Sequence, residues 1–306
     1  MPPFRNMVNL QVNWIFKICT YDKRYIDCKQ SKNELKKIGI IGCGAIGSEL
    51  ATAVDSRKVN AELVALFDVY QDAVNSLANK LKTKPAVAKT IEDLVSSNID
   101  IVVEAASQEA VRKYARIVLE HDRDLMTMSI GALLDSNLYN ELIAVAEKHG
   151  RRIYLPTGAI AGIDAIRSVK HLLEEVTLTT TKSPKGLEGA PFFKTNKIDL
   201  KKIKKTKVIY EGKASEAVKL FPANVNVAAV LSLAGIGGDK TKVKIVADPK
   251  TKVNTHEITA KGSFGEMHFK VKNVPSPTNP KTSYLAVLSA IECLRSICDD
   301  RVGIGT

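Results

Sequence analysis

The stretch KKIGIIGCGAIGSELATAV, residues 36–54, restricts the fold more than any other part of the chain. A short apolar run leads into glycines at 42, 44 and 47, and a helix-like segment follows, so the spacing G-x-G-x-x-G falls between a strand and a helix. Gly42 permits the tight turn, Gly44 lets the backbone approach a pyrophosphate, and Gly47 lets the helix pack close to the strand. Ala45 and Ile46 complete the turn at the helix N-terminus, where free N–H groups and the positive dipole suit phosphate. A second strand, AELVALFDVY (61–70), carries Asp68 near its end, 21 residues after Gly47. A carboxylate there accepts from both ribose hydroxyls and repels a 2′-phosphate. No arginine follows it closely, so NAD is the expected cofactor, with NADP left open.

The alternation of strands and helices continues to about residue 162. DAVNSLANKL reads as a helix, PAVA as a short strand, and TIEDLVSS as a helix capped by Thr90. IDIVVEAAS (99–107), DLMTMSIGALLD (124–135) and RRIYLPTGAIAG (151–162) read as strands, with helices over 108–122 and SNLYNELIAVAEKHG. This rhythm predicts a doubly wound parallel sheet of the Rossmann kind, with the ligand at the carboxyl ends of the strands. Ala105, Ala106, Ser107, Ser129, Gly131 and Ala159 to Ala161 then border the cofactor groove.

After a helix expected over 162–175 the pattern changes to alternating apolar and polar residues. VTLTTTKSP, TKVIYEG, TKVKIVADP, THEITAKG and GEMHFKVKNVP read as half-exposed strands, interrupted by the helices ASEAVKL and NVNVAAVLSLAGIG. A mostly antiparallel sheet layered with helices, an α+β domain, is expected. In the last helix Leu285, Leu288, Ile291, Leu294 and Ile297 recur every three residues, suggesting one apolar face that covers the sheet or braces the first domain. The expected division is an arm over 1–36, a dinucleotide-binding domain over 37–162, a substrate domain over 163–285, and a bracing helix over 286–306.

The chain has 306 residues, enough for two domains, and ordinary fractions of hydrophobic (45%) and charged (25%) residues. No apolar run is long enough to span a bilayer. Five cysteines, odd in number and without metal-ligand spacing, suggest a reducing cytoplasmic setting and no metal. The net charge of +12 raises nucleic acid as a partner. The lysines of 194–207 and 240–252 are not interleaved with aromatics as a base-stacking groove needs, so a solvated surface able to attract an anionic substrate is the preferred reading. The arm carries the sole tryptophan, Trp14, and has no apolar core of the signal-peptide kind.

Several motifs together resemble one family. GIIGCGAIGSEL, SIGALLD, LPTGAIAGIDAI, FPANVNVAAVLSLAG, ADP followed by NTHEI, GSFGEMHF and NPKTSYLAVLSAI occur in the order seen in L-aspartate dehydrogenases, over roughly residues 37–300. The resemblance implies a Rossmann domain joined to an α/β domain, usually in a homodimer. It also implies NAD(P)-dependent oxidation of L-aspartate to iminoaspartate. That imine hydrolyses to oxaloacetate and ammonia or passes to a quinolinate-forming enzyme and NAD biosynthesis. By the same resemblance His256 is the active-site residue, while Asn226 and an alanine of the GAIAG turn, taken as Ala161, contact the cofactor.

From the residues alone, His256 in VNTHEITAKG is either a solvated strand residue or a proton-handling group. Amine oxidation needs a neutral amine, and an imidazole titrating near 6.5 takes up its proton near neutrality. Strand alternation turns Thr255 and Glu257 away from His256, so its orienting partner must come from elsewhere. His121 and His149 end helices, His171 sits mid-helix and His268 lies in a strand, all with structural roles expected. Lys281, Thr282 and Ser283, opening the last helix, form either a cradle for substrate carboxylates or a helix cap beside a solvated lysine. Two rivals to the dehydrogenase reading remain: another two-domain reductase, of the homoserine dehydrogenase or dihydrodipicolinate reductase type, and a non-catalytic dinucleotide sensor.

Overall fold

The computed structural model describes residues 34–196, 198–222, 225–277 and 282–299. Most of the arm and Lys281 lie outside the described residues. The first half alternates β1 (Lys36–Ile41), α1 (Ala45–Asp55), β2 (Ala61–Phe67), α2 (Gln71–Lys80), β3 (Ala86–Val87), α3 (Ile91–Ser96), β4 (Ile101–Glu104), α4 (Gln108–Glu120), β5 (Asp124–Thr127), α5 (Ser136–His149) and β6 (Ile153–Tyr154). Among the described residues these strands form one six-stranded sheet in the order β3-β2-β1-β4-β5-β6, every pairing parallel. The order reverses beside β1, the strand that feeds the glycine turn, and ligands of open α/β sheets bind at such a switch point.

Both faces of this sheet are covered, which is why its strands read as continuous apolar runs. Successive residues of β1 serve opposite sides. Ile38 and Ile40 enter a core with Leu50 and Val54 of α1 and Leu77 of α2. Ile41 joins Leu94, Val118 and Leu142 of α3, α4 and α5 on the other side. Thr90 caps α3 in a reciprocal capping box with Asp93.

The second half contains α6 (Ile163–Ser168), β7 (Leu173–Lys182), α7 (Pro184–Leu187), α8 (Pro191–Asn196), β8 (Lys207–Lys213), α9 (Ala214–Leu220), α10 (Asn226–Ala234), β9 (Lys242–Ala247), β10 (Asn254–Gly262), β11 (Gly265–Asn273) and α11 (Tyr284–Cys298). Its five-stranded sheet runs β11-β10-β7-β9-β8 among the described residues; β7 and β9 are parallel and the other pairings antiparallel. The covered face of β7 carries Val176, Leu178, Thr180 and Lys182, and that of β10 carries Asn254, His256, Ile258 and Ala260. With Thr180 opposite His256 and Leu178 opposite Ile258, this face changes along its length from aliphatic to polar. The polar end is where the site lies.

Four segments differ from the sequence reading. Only Asp124–Thr127 of the 124–135 run is strand, because Ile130–Leu134 turns into a 3-10 helix whose Ile130, Ala132 and Leu133 are buried. Of 151–162 only Ile153–Tyr154 pairs, and Gly158 and Gly162, with φ of +70° and +79°, turn the rest into a loop. The helix expected over 162–175 ends at Ser168, and Lys170–Leu172, including His171, is a 3-10 turn into β7. In α11 the buried stripe is Val287, Ala290 and Leu294, while Leu288 is 42% exposed. A strict three-residue repeat spirals around a helix of 3.6 residues per turn, whereas steps of three and four stay on one face. Ala290 and Leu294 enter the core beside α1, and Ala286 packs against the core of the second half.

Candidate active site

The glycine turn has the geometry its spacing predicts. Gly42 adopts φ +96°, and a Cβ there would lie 2.8 Å from Ala105 backbone atoms and from Ala106 Cβ. A Cβ on Gly47 would fall 1.8 Å from the Gly42 carbonyl oxygen, so only hydrogen lets α1 start this close to β1. A Cβ on Gly44 would meet nothing within 4 Å. That open space in front of the α1 N-terminus, where a pyrophosphate would sit, fits a dinucleotide.

Asp68 is tied to the turn: Cys43 N donates to its Oδ2 at 2.7 Å, and Tyr70 N to its Oδ1 at 3.0 Å. The carboxylate is thereby held at the mouth of the turn with lone pairs left for ribose hydroxyls. Val69 and Tyr70 beyond it are exposed. The Cys43 thiol is pushed up to about 12, by burial first and by Asp68 second, and is inert at ordinary pH.

A second anchor lies at the end of β4. Glu104, 1% exposed, accepts five hydrogen bonds: from Ala106 N, Ser107 N and Ser129 Oγ at Oε1, and from Thr127 Oγ1 and Ser129 N at Oε2. One carboxylate thus fixes the loops after β4 and β5. Ala106 and Ser107 are exposed, and Ser107 Oγ caps α4 by accepting from Ala110 N at 3.1 Å. Gln108 Nε2 is buried without a hydrogen-bond partner among the described residues, and lies against Gly131.

His256 is 2% exposed, on the polar end of the covered face of β10. Its Nδ1 is hydrogen-bonded to Thr180 Oγ1 at 3.0 Å across the β7–β10 pair. Glu257 points to the opposite face, where it pairs with Lys270 at 2.6 Å. The imidazole does not titrate near 6.5: burial first, then the charge of Lys182, lowers it to about 3. Lys182 is itself buried, which lowers it to about 8.

These groups converge on a cavity of about 100 Å³. Ile46 from the glycine turn, Asn226 at the start of α10, Lys182, His256, Thr282 and Ser283 all line it. Asn226 Oδ1 accepts from Gly131 N at 3.2 Å, which ties α10 to the loop after β5. Ser283 Oγ accepts from Asn254 Nδ2 at 3.1 Å. Ala161 does not reach this cavity; it is exposed in a separate groove with Thr157 and Asp164, and Gly158 and Ala159 line the cavity in its place. The chain turns at Gly158, with φ +70°, just before these alanines.

Three of the other histidines are engaged elsewhere. His121 Nδ1 meets Ile117 O at 2.8 Å, His149 pairs with Asp122 at 2.9 Å, and His268 meets Thr259 Oγ1 at 3.2 Å. Sequence reasoning missed Thr180, Lys182 and Glu104. For the first two the signal was present, since they fall in phase with Val176 and Leu178.

The family model described as "Aspartate dehydrogenase, C-terminal" matches residues 164–297, and "Homoserine dehydrogenase, NAD binding domain" matches residues 42–156. The L-aspartate dehydrogenase of Nitrosopumilus maritimus is 52% identical over 272 residues, covering 89% of this chain and all of that protein. That of Methanosarcina barkeri is 51% identical, covering 88% of this chain and 99% of the relative. The crystal structure of aspartate dehydrogenase from Thermotoga maritima superposes with a TM-score of 0.71 at 29% identity, covering 89% of this chain and 100% of that one. With this likeness running through both halves of the molecule, the chain belongs to the L-aspartate dehydrogenase family.

Proposed function

We propose that this chain oxidises L-aspartate to iminoaspartate with NAD, and that His256 takes the proton of the substrate amine. The observation that carries the reading is the shared cavity: Ile46 of the glycine turn, Asn226 and His256 line the same small space. The homoserine dehydrogenase likeness is confined to the NAD-binding half, while the half that carries His256 matches the aspartate dehydrogenase model.

Bound NAD supplies the hydride acceptor for Cα. The chain's own task is to position L-aspartate and remove an ammonium proton, because an ammonium nitrogen has no lone pair with which to form the imine. In the tautomer that places hydrogen on Nδ1, His256 donates to Thr180 Oγ1 and keeps the Nε2 lone pair as proton acceptor. Burial favours the neutral form of the imidazole and makes it a weak base.

In this reading residues 37–162 hold the cofactor, 163–285 supply the substrate contacts, and the last helix braces the two. Gly42, Gly44, Ala45 and Ile46 face the pyrophosphate, Asp68 the ribose, and Ala106, Ser107 and Asn226 the nicotinamide side. Thr282 and Ser283 contact the substrate. The enzyme works as a cytoplasmic homodimer beside a quinolinate-forming enzyme in pyridine nucleotide synthesis, with its basic exterior attracting dicarboxylates. Among the described residues no helix is long and apolar enough to cross a membrane.

A spectrophotometric assay of L-aspartate against other amino acids and homoserine, with NAD and NADP, tests the reading. NADH formation with L-aspartate is expected. Reduction driven by homoserine and not by aspartate would overturn it.

A further inference from the structure

We propose that Val230 sets the length of the substrate: it is the partition between the cavity and a larger groove, and it shuts out the five-carbon amino diacid. The inference rests on the aspartate dehydrogenase reading of the same site. Two elements line both spaces. On α10, Asn226, Val227 and Val230 line the cavity of about 100 Å³, while Val230, Leu233 and Ala234 line a groove of about 730 Å³. Helix positions three and four residues apart share a face, and Val230 is where the two sets overlap. It is 4% exposed and belongs to the core of the second half. In the loop after β6, Gly158 and Ala159 line the cavity, whereas Thr157, Ile160 and Ala161 line the groove. A Cβ on Gly158 would lie 3.5 Å from Val227 Cγ1, so this loop runs close against α10. At Val230 the division between the two spaces is a single side chain. Thr157 and Ala161 are exposed, which opens the groove to solvent.

Length selection follows from that wall. His256, Thr282 and Ser283 bring polar side chains to the cavity, whereas Val227, Val230 and Ala159 bring apolar ones. In the dehydrogenase reading the substrate amine lies beside His256, so an extra methylene cannot be absorbed there and must be taken up at the apolar wall. A closed wall has no room for it, and one methylene in a packed apolar pocket is discriminated by roughly 10- to 200-fold. Val230→Ala removes two methyl groups where the groove begins, and a longer chain gains the space they filled. The selection is steric and leaves the proton transfer to His256 untouched.

Succinate and glutarate are the probes, diacids of four and five carbons without an amine. Their affinities for the full-length enzyme with NADH are measured for wild type, Val230→Ala and Val230→Thr, with NADH affinity as the control. Thr keeps the branched shape, its hydroxyl able to bond the Asn226 carbonyl one turn back, and should keep the wild-type preference for succinate. In Val230→Ala the ratio of glutarate to succinate affinity should rise roughly tenfold, and the kcat/KM ratio of L-glutamate to L-aspartate should rise with it. If the lost core packing prevents recovery of the Ala variant, Val230→Ile makes the opposite change, and its added methylene should weaken succinate relative to malonate. A wild type that binds glutarate as tightly as succinate overturns the proposal. So does an unchanged ratio in an Ala or Ile variant that binds NADH normally, or a shift in Val230→Thr as large as in Val230→Ala. If wild type oxidises aspartate, the functional reading survives each of these results. Conversely, a wild type silent on aspartate whose diacid preference shifts in Val230→Ala overturns the functional reading and leaves the partition standing.

Discussion

Thr180 Oγ1 and His256 Nδ1 lie 3.0 Å apart on paired strands, inside the covered face of the second sheet. The contact orients the ring and engages its Nδ1. Thr180→Val keeps the shape and removes the hydroxyl, so kcat should fall roughly tenfold, the scale of one lost hydrogen bond. Thr180→Ser should restore most of it. Steady-state kinetics beside an NADH titration check this, and a Val variant as fast as wild type would show that the hydroxyl does not orient the ring.

His256→Ala should lower turnover by roughly 10²–10⁴ and leave NADH affinity unchanged, since the imidazole lies on the sheet opposite the glycine turn. Thr180→Val in that background should cost little more, because the two side chains act as a unit. A full additional tenfold loss in the double variant would assign Thr180 a separate role.

Asp68→Ala removes the acceptor of Cys43 N as well as the proposed ribose partner. The preference for NAD over NADP should drop by roughly 10- to 100-fold, the range for hydrogen bonds to a charged group. The ratio of kcat/KM values for the two cofactors measures it. An unaltered ratio would mean that the carboxylate serves the turn and not the cofactor.

Glu104→Gln replaces an acceptor-only group with an amide that must aim two N–H donors at other donors. With five hydrogen bonds converging on Glu104, at least some lose their acceptor. Stability should fall by about 1–3 kcal/mol for each buried donor left unsatisfied, and KM for NAD should rise as the Ala106–Ser107 loop loosens. Thermal melting and NADH titration report the two effects separately.

The titration of His256 gives a pH dependence with a definite sign. Unfolded, the imidazole takes up a proton below about 6.5; folded, it stays neutral down to about 3. The unfolded state binds more protons in that window, so the contribution of His256 to stability is intact above 6.5 and lost as pH falls toward 3. Melting temperatures from pH 7.5 to pH 5 should decline less steeply for His256→Gln than for wild type. Parallel curves would mean that the ring is not kept neutral by the fold.

The cofactor half was legible because its function is written in backbone requirements, and Gly42, Gly44 and Gly47 are the residues a tight turn and a close helix demand. The second sheet was legible as alternation. Which phase of that alternation faced inward was not followed through β7, and so Lys182 passed as part of a half-exposed strand although it keeps step with Val176 and Leu178. Glu104 was hidden for the opposite reason: a single acid at the end of an apolar run gives no period by which to judge its burial. The loop bent at Gly158 follows no repeat, so nothing in the sequence tells which alanine of GAIAG lines the His256 cavity; Ala159 does and Ala161 does not.

The terminal helix α11 has a mechanical consequence. Thr282 and Ser283 at its start touch the cavity, Ala286 leans on the core of the second half, and Ala290 and Leu294 are embedded beside α1, which begins at the glycine turn. The helix is a rigid tie rod. A shift of one half against the other would have to bend this helix or break one of its two seats, at Ala286 or at Ala290 and Leu294.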